Sequence, residues 1–392
     1  MKSDINTSEM VLLVEQYLTE NYDMRFNQLS KKIEVRAHGE ADFRPVTEKL
    51  RNSIIRRIKI DMPEVTNVKQ NVVEYLDSED IVLYDPIRDY LASLPEWDGC
   101  NRVAELFGQL PGVTSEHIYW LNIWMRSAVV HWLGMDTLHA NEIVPTLIGP
   151  QGCGKSTFCQ RLLPPSLRVY FLDHFNMANK FDKEMALTNN LLINLDELDQ
   201  FKPGQQAELK QSISKVKVNG RPIFGRAQDD RMRYASFVAT TNNPHPLQDP
   251  TGSRRYVCIT IPEGCIIDNT FDINYDQFYA QLMYEVKEKK MRYWLTTEES
   301  HTLQAANAQY QSEQDLASIL SHCFRKPDGD EPATEYTVQQ IVDILRQQFP
   351  AIQKSHALSI HVGLELKHAG IKPRQVMGYN RYRVVPLIKS HR

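Results

Sequence analysis

The chain has 392 residues, of which 42% are apolar and 24% are charged, and its formal net charge is −4. This length is enough for two or three domains with hydrophobic cores, the composition is that of a globular protein, and the net charge excludes a polyanion-binding surface over the whole molecule. No apolar run reaches the roughly 18 residues of a membrane span, so we expect no membrane partner. The six cysteines form no C-x-x-C pair, so we expect free thiols in a cytoplasmic protein and no zinc ribbon.

The first predicted unit, residues 1–95, is an α+β region whose role the sequence does not indicate. It contains helical patterns and one predicted strand, Lys32–Ala37. Residues 96–142 follow as a helical, collar-like segment. Its apolar residues recur at spacings of three and four, which predicts a buried helix face. These residues are Leu121, Trp124, Met125, Ala128, Val129 and Trp132.

Residues 143–300 are predicted to form an α/β domain with a mainly parallel sheet. Short, continuous apolar runs alternate there with helical stretches, as in parallel strands that are covered on both faces. The predicted strands are Val144–Ile148, Val169–Leu172, Leu191–Leu195, Phe237–Thr240 and Tyr256–Ile261. A helical pattern then extends from Tyr275 to about Leu303.

A phosphate-binding sequence follows the first of these strands. The run from Gly149 to Ser156 matches G-x-x-x-x-G-K-[ST], and a helix is predicted from Lys155 to Leu163. Small residues let backbone N–H groups turn toward phosphates, Lys155 can reach the β- and γ-phosphates, and the Ser156 hydroxyl can ligate Mg²⁺. We therefore predict ATP and Mg²⁺ as ligands. The predicted nucleotide contacts are Gly149, Pro150, Gln151, Gly152, Cys153, Gly154, Lys155, Ser156 and Thr157.

Two carboxylates, Asp196 and Glu197, end the strand Leu191–Leu195. In a parallel sheet the carboxyl end of this strand opens into the same crevice as the phosphate loop. We predict that Asp196 holds Mg²⁺ through water and that Glu197 polarises the attacking water as a general base. Asp199 lies nearby and could replace Asp196. The alternative interpretation is a solvated acidic turn.

A basic segment lies between the acidic strand end and the next strand. Residues 212–233 contain six Lys or Arg and two Asp, a local charge of +4. Within it, Lys215–Phe224 alternates polar and apolar residues around Asn219-Gly220, which predicts a β-hairpin with its turn at that dipeptide. We predict DNA contacts from Lys215, Lys217 and Arg221. The alternative is an ordinary solvated hairpin.

Two further strand-end features complete the predicted site. The strand Phe237–Thr240 leads to Asn242, whose amide could orient the water and sense the γ-phosphate. Arg254 and Arg255 precede the last strand, and one of them could stabilise the transition-state charge on a neighbouring subunit's γ-phosphate. The bland alternatives are an ordinary turn residue and a surface arginine pair.

Residues 301–392 are predicted to form a linker helix and a winged-helix-like domain. Two helices, Thr337–Gln348 and about Lys354–His368, precede a hairpin made of Arg374–Met377 and Tyr382–Leu387. Residues 351–392 carry eight Lys or Arg against one Glu, a net charge of +7. We predict duplex-DNA contacts from Arg381 and Arg383 on the wing. Protein docking is the alternative role for such a unit.

The motifs together resemble a known family. Trp97-Asp98-Gly99, the Gly149–Ser156 run, Thr240-Thr-Asn242-Asn and Thr251-Gly-Ser-Arg-Arg255 resemble the virulence-associated protein E family, a superfamily 3 helicase-like group of P-loop ATPases from phage, plasmid and island primase–helicases. The resemblance covers about Tyr84 to Pro262. It implies an AAA+-like P-loop NTPase fold and ATP-driven DNA unwinding, usually by a hexameric ring.

This resemblance extends the predictions to partners. It implies that the Lys215–Phe224 hairpin contacts DNA, that single- and double-stranded DNA are partners, and that the bacterial or phage-encoded chain assembles as a homo-oligomeric ring. Residues 1–95 contain neither a paired hydrophobic–Asp–x–Asp site nor zinc cysteines, so we expect a separate primase. The alternative function is an ATP-dependent switch or sensor, in regulation or phage defence, without unwinding activity.

Overall fold

The protein is described here from a computed structural model. It describes most of the chain, with short gaps between the described segments. These segments are residues 6–135, 138–177, 179–201, 203–220, 229–247, 253–311, 316–329, 331–349, 356–376 and 379–387. Within them, no helix has both the length and the apolar character that crossing a membrane would require.

The N-terminal unit is a small α+β layer with its own core. Its elements are α1 (Thr7–Asn21), β1 (Tyr22–Asn27), β2 (Lys32–Ala37), β3 (Arg44–Pro45), α2 (Glu48–Asp61), α3 (Val68–Leu76), β4 (Val82–Tyr84) and α4 (Pro86–Ala92). The sheet has the order β3-β2-β1-β4, in which β1 is antiparallel to β2 and parallel to β4. The prediction of β2 is confirmed at the same bounds. Helix α1 begins with a capping box between Asn6 and Glu9, which satisfies otherwise unpaired backbone N–H groups.

Two helices, α5 (Arg102–Phe107) and α6 (Ser115–Leu133), lead to the central sheet. The predicted buried face of α6 is confirmed, and Trp124 and Trp132 have no exposed surface. Their large rings fill the core between α6 and the neighbouring elements, where such burial contributes strongly to stability.

The central layer is a five-stranded parallel sheet, which confirms the prediction of a mainly parallel sheet. Its strands are β5 (Val144–Ile148), β6 (Phe171–Leu172), β7 (Leu192–Asp196), β10 (Ser236–Thr241) and β11 (Tyr256–Thr260), in the spatial order β11-β5-β10-β7-β6. The intervening elements are α7 (Lys155–Arg161), α8 (Lys180–Asn189), α9 (Pro203–Ile213), β8 (Lys217–Gly220) and β9 (Asp229–Met232). The predicted strand Val169–Leu172 is shorter than expected because a 3-10 helix, Pro165–Tyr170, covers its first half.

The helical pattern after Tyr275 is divided into separate pieces. Helix α10 (Tyr275–Met283) continues into a π-helical turn, Tyr284–Glu288, and α11 (Thr297–Ala306) begins only after an irregular segment. Lys290 adopts a left-handed backbone with φ of 49°, which an α-helix cannot contain. The expectation of one continuous helical stretch was therefore wrong.

The C-terminal unit combines three helices with an antiparallel sheet. Its elements are α12 (Leu316–Cys323), β12 (Phe324–Arg325), β13 (Thr334–Thr337), α13 (Val338–Gln348), α14 (His356–His368), β14 (Arg374–Val376) and β15 (Tyr379–Pro386). Strand β15 pairs with β12, β13 and β14. The two helices and the hairpin of the prediction are present. Helix α12 lies in the region where a linker helix was predicted, and β12 and β13 were not predicted.

The predicted turn of the basic hairpin was wrong. Strands β8 and β9 pair antiparallel with Gly220 opposite Asp229, so Asn219 and Gly220 lie within a strand. Val218 is fully buried while Lys217 and Asn219 are exposed, and this alternation fixes the strand despite the local turn preference. The connection is residues 221–228, which lie outside the described segments together with the predicted contact Arg221.

Candidate functional site

The phosphate loop, the acidic strand end and the asparagine strand end meet at one edge of the central sheet. Thr241 of β10 pairs with Ile148 of β5, and Thr240 pairs with Asp196 of β7. Because all three strands are parallel, the residues after them, including Gly149 and Asn242, open at the same level. The chain passes from β5 to the far strand β6 and later returns to the other side of β5, which makes this edge a topological switch point.

The loop between β5 and α7 has a backbone that depends on glycine. Gly152 and Gly154 have φ of 80° and 92°, in the region that side chains disfavour. A Cβ at Gly154 would also lie 2.5 Å from Nδ2 of Asn269, which donates a hydrogen bond to the Gly154 carbonyl at 3.0 Å. The predicted loop conformation thus requires glycine at 154 on two grounds.

Lys155 lies at the centre of this loop and is 7% exposed. Its Nζ donates hydrogen bonds to the carbonyls of Gly149 at 2.7 Å and Pro150 at 2.8 Å, and to Oδ1 of Asn242 at 2.9 Å. Lys155 and Asn242, which the sequence analysis assigns to one site, therefore contact each other directly. An ammonium held by neutral carbonyl and amide oxygens can exchange them for phosphate oxygens, which form stronger charge-assisted bonds.

The predicted carboxylates line the neighbouring wall of the crevice. Asp196 accepts a hydrogen bond from Oγ1 of Thr240 at 2.7 Å, and Asp199 accepts one from Oγ1 of Thr241 at 2.6 Å. Glu197 is exposed and has a left-handed backbone with φ of 52°. Non-glycine residues rarely adopt this conformation outside functional sites and tight turns. It directs the chain sharply away from β7 directly after Asp196.

Sequence reasoning missed two residues of the crevice, Asp173 and Asn194. Asp173 follows β6, and it accepts a hydrogen bond from Nδ2 of Asn194, a fully buried residue of β7, at 3.0 Å. Burial, reinforced by Asp173 and Asp196, raises the pKa of the Cys159 thiol on α7 to about 12. Both carboxylates therefore lie close to the helix that follows the phosphate loop. Ligands commonly bind at the carboxyl ends of parallel strands, and this rule would also have selected Asp173, which follows β6.

No group of three His, Cys, Asp or Glu side chains within the described residues comes together as a metal site. Ser156 is half-buried at the start of α7, and Asp196 lies on β7, so each could supply one oxygen. Mg²⁺ commonly takes only one or two protein ligands and completes its octahedron with phosphate and water oxygens. The residues present fit a metal that arrives with the nucleotide.

The two predicted arginines lie next to the amino-terminal ends of the strands, and the crevice lies at the carboxyl ends. Tyr256 pairs with Val144 at the start of β5, and Thr260 pairs with Ile148 at its end. Arg255 therefore precedes a strand whose far end lies level with the phosphate loop, a separation of about 17 Å for five residues. The length of β11 therefore lies between these two arginines and the level of the phosphate loop of the same chain.

The two arginines also differ in their surroundings. The Arg255 side chain is 12% exposed, and its Nη2 donates to Oγ of Ser214 at 3.1 Å and lies 4.0 Å from a Glu142 carboxylate oxygen. Arg254 is exposed. Both line a cavity of about 390 Å³ that also includes Trp294. Arg254 is thus the better placed of the pair to meet another molecule.

Fewer side chains of the basic segment face solvent than its composition suggests. Lys217 forms an ion pair with Asp230 on the opposite strand. Arg231 bonds to Glu184 at 2.6 Å, and Arg233 is 2% exposed. Burial lowers the pKa of the Arg233 guanidinium to about 9. Among the described basic residues of this segment, Lys215 and Lys217 remain as candidates for contact with a DNA phosphate backbone.

The C-terminal candidates lie on β15. Arg383 is exposed and donates to the Glu331 carbonyl at 2.9 Å, and Arg381 is half-buried. Arg381 pairs with Arg374 across the hairpin and with Thr337 on the other side. The arrangement places both predicted arginines on one hairpin strand, as expected, and their role stays a prediction.

The chain is similar to solved structures and matches one domain family. The apo structure of the NrS-1 C-terminal region is similar at a TM-score of 0.47 and 12% identity, covering 97% of this chain and 100% of that one. A second form of that region gives 0.47 and 13%, covering 96% and 99%. No match is found among the curated proteins. The profile of the virulence-associated protein E-like domain matches residues 91–312, more than half of the chain. The resemblance inferred from the motifs is confirmed, and the chain belongs to the virulence-associated protein E-like family.

Proposed function

We propose that this protein is an ATP-hydrolysing P-loop motor of the AAA+ and superfamily 3 helicase type that moves along DNA during replication of a mobile element. The observation that carries the proposal is the contact of Lys155 with Asn242, because it joins the phosphate-binding sequence to a polar strand end inside one crevice. A phosphate group bound there would meet the loop N–H groups, an ammonium and an amide together.

Each residue of the crevice then has a defined task. The backbone N–H groups from Gly149 to Ser156 hold the phosphates of ATP, and Lys155 neutralises the β- and γ-phosphates. Ser156 and Asp196 hold Mg²⁺, which stabilises the charge that develops in phosphoryl transfer. Glu197 polarises the attacking water, and Asn242 orients it. Both act only on a water positioned at the γ-phosphate.

The role of Glu197 gives a first prediction. Glu197→Gln removes the base but keeps the size and polarity of the side chain. We expect ATP affinity within about twofold of wild type and turnover lowered by about 10²–10⁴, the range that general-base catalysis contributes. Radiolabelled ATP retained on a filter and phosphate release would measure the two quantities. Glu263→Gln, an exposed carboxylate outside the crevice, is the matched control, and near wild-type turnover in Glu197→Gln would refute the assignment.

Arg254 lies at the opposite end of β11 from the crevice of its own chain, and the proposal therefore includes a ring. In a head-to-tail ring, each interface would place the phosphate-loop crevice of one subunit against the turn that carries Arg254 in the next subunit. Arg254 is exposed and lines a cavity, so a group of a neighbouring subunit could reach its guanidinium. By family resemblance, a hexamer is the expected ring.

DNA would contact the β8–β9 hairpin and the C-terminal unit. The order of α12, β13, α13, α14, β14 and β15 supports a winged helix whose wing is the β14–β15 hairpin, with Arg381 and Arg383 toward duplex DNA. Lys215 and Lys217 would follow a single strand through its phosphates. The exposed Lys217–Asp230 pair contributes little stability, so a phosphate can replace Asp230. Priming would come from a separate protein.

The hairpin gives a second prediction. Replacing Lys215 and Lys217 with alanine is expected to remove two phosphate contacts. The slope of log affinity against log salt on single-stranded DNA should fall by about 0.7 per contact. DNA stimulation of hydrolysis should disappear while basal hydrolysis persists. Lys287→Ala with Lys289→Ala removes the same charge from the exposed turn after α10 and is the control. An unchanged slope with undiminished stimulation would place the DNA elsewhere.

The alternative function is an ATP-dependent switch or sensor without unwinding activity. The same crevice would gate assembly, and DNA would not be needed for turnover. An ATPase assay with and without single-stranded DNA, run beside sizing chromatography with ATP, separates the two functions. Stimulation by DNA supports the motor, and nucleotide-dependent assembly with DNA-independent turnover supports the switch.

A further inference from the structure

Two arginines hold the short segment between α9 and β8 from different sides. The first is Arg233, whose Nη1 donates to the carbonyls of Ile213 at 2.6 Å and Lys215 at 2.5 Å. Its Nε donates to the Ala235 carbonyl at 2.8 Å. Arg233 follows β9 directly, so the start of the segment and the end of the hairpin are fixed to one buried guanidinium.

The second arginine is Arg255, which reaches the same segment through the Ser214 hydroxyl. The turn that carries Arg255 is itself firmly held. Nδ2 of Asn307 on the helical extension after α11 donates to the carbonyls of Ser253 and Tyr256, each at 2.6 Å. Arg254, the exposed neighbour of Arg255, therefore belongs to a turn that is connected to Ser214 by one hydrogen bond.

The path from Arg254 to the hairpin is short and continuous. Ser214 lies three residues before Lys217, a distance of at most about 11 Å along the chain. The segment from Ser214 to Val216 lies between α9 and β8. The Ser214 N–H donates to the Lys210 carbonyl of α9 at 3.0 Å, and Arg233, directly after β9, binds the Lys215 carbonyl, so a displacement at Ser214 is passed both to α9 and to the hairpin. The far side of the hairpin is anchored separately, because Arg231 of β9 bonds to Glu184 on α8.

We propose that Arg255 and Ser214 are positioning residues that couple the arginine turn to the β8–β9 hairpin, so that a phosphate bound by Arg254 at a subunit interface changes where the hairpin holds DNA. The inference rests on the proposed function, and it deepens that function by assigning the two arginines different tasks. Arg254 meets the neighbouring nucleotide. Arg255 faces inward and passes the displacement to the hairpin through the Ser214 hydroxyl.

Ser214 permits a test that leaves the nucleotide contacts intact. Ser214→Ala removes the hydroxyl, Ser214→Thr keeps it, and Ser212→Ala is the matched control because the Ser212 hydroxyl bonds only within its own helix, to the Glu208 carbonyl at 2.9 Å. We expect basal turnover and ATP affinity to be unchanged in all three, since Asn307 still holds the arginine turn. The ratio of DNA-stimulated to basal turnover should fall by a factor of about ten, or to one, in Ser214→Ala alone.

A second measurement reads the hairpin without DNA. Asn219→Cys, an exposed position on β8, is labelled with an environment-sensitive fluorophore in a Cys100→Ser background, since Cys100 is the exposed native thiol among the described residues. We expect ATP to change the fluorophore emission when Ser214 is unsubstituted and when Ser214→Thr is present. In Ser214→Ala, we expect ATP to leave the emission unchanged.

The outcomes separate this inference from the function on which it rests. If Ser214→Ala keeps the full DNA stimulation of the wild type and shows the same change of emission with ATP, the coupling is overturned and the motor is left intact. A wild-type protein that hydrolyses ATP without any response to DNA and without any change in emission overturns both. Loss of stimulation in Ser214→Thr as well as in Ser214→Ala would assign the effect to packing at position 214 and overturn the role of the hydroxyl.

Discussion

Replacing Lys155 with alanine is expected to lower ATP turnover by about 10³-fold or more and to weaken nucleotide binding. Its ammonium lies inside the loop, where three oxygen acceptors hold it within 2.7–2.9 Å. Removal of a positioned charge-stabilising donor commonly costs about 10²–10³ in rate by itself, and we expect Lys155 to contribute to binding the ground state as well. Phosphate release and fluorescent-nucleotide titration would measure the two losses.

The same substitution has a structural effect that needs a control. The carbonyls of Gly149 and Pro150 would each lose a donor, at about 1–3 kcal/mol for every acceptor left buried and unpaired. Thermal unfolding of Lys155→Ala and of Lys180→Ala, an exposed lysine on α8, would show how far the fold is weakened. If Lys155→Ala stays folded at the assay temperature and still hydrolyses ATP near the wild-type rate, the loop is not the catalytic site.

The central sheet could be predicted from sequence because its signals are local. Each of β5, β7, β10 and β11 is a continuous apolar run, and such runs read as parallel strands that are buried on both faces. The phosphate loop was recognisable for the same reason, since its glycines and lysine follow one another in the chain. The contact of Lys155 with Asn242 joins residues 87 positions apart, but strand-end reasoning still brings them together.

Other features depend on pairings that the sequence does not encode locally. The Asn219-Gly220 dipeptide favours a turn, yet the burial of Val218 and the pairing with β9 keep it in a strand. Arg231 and Arg233 contribute to the positive charge of the segment, but Glu184 and backbone carbonyls bind them. The composition of the segment does not distinguish such internally bound arginines from arginines that could bind DNA. The contacts of each guanidinium become visible only in the folded structure.

The position of Arg254 leads to the second large effect. We expect Arg254→Ala to keep ATP affinity nearly intact and to lower turnover by about 10³-fold, the contribution that an arginine at the transferring phosphate makes. The crevice proposed to bind ATP lies at the other end of β5 and β11 from Arg254, so we expect ground-state binding within one chain not to involve this residue. Arg255→Ala should differ, because its contact with Ser214 is internal, and it should lower DNA stimulation more than basal turnover.

Mixing two inactive variants tests whether the arginine acts between subunits. Arg254→Ala keeps the lysine, and Lys155→Ala keeps the arginine. In a head-to-tail ring assembled from equal amounts of both, roughly a quarter of the interfaces would combine an intact Lys155 with an intact Arg254. We therefore expect turnover to recover to about that fraction of the wild-type rate after the rings are dissociated and reassembled. Assembly of each variant should be verified by sizing chromatography with ATP. Full assembly with no recovery at any mixing ratio would contradict an arginine supplied in trans, and since β11 separates Arg254 from its own crevice, that result would remove Arg254 from the catalytic site altogether.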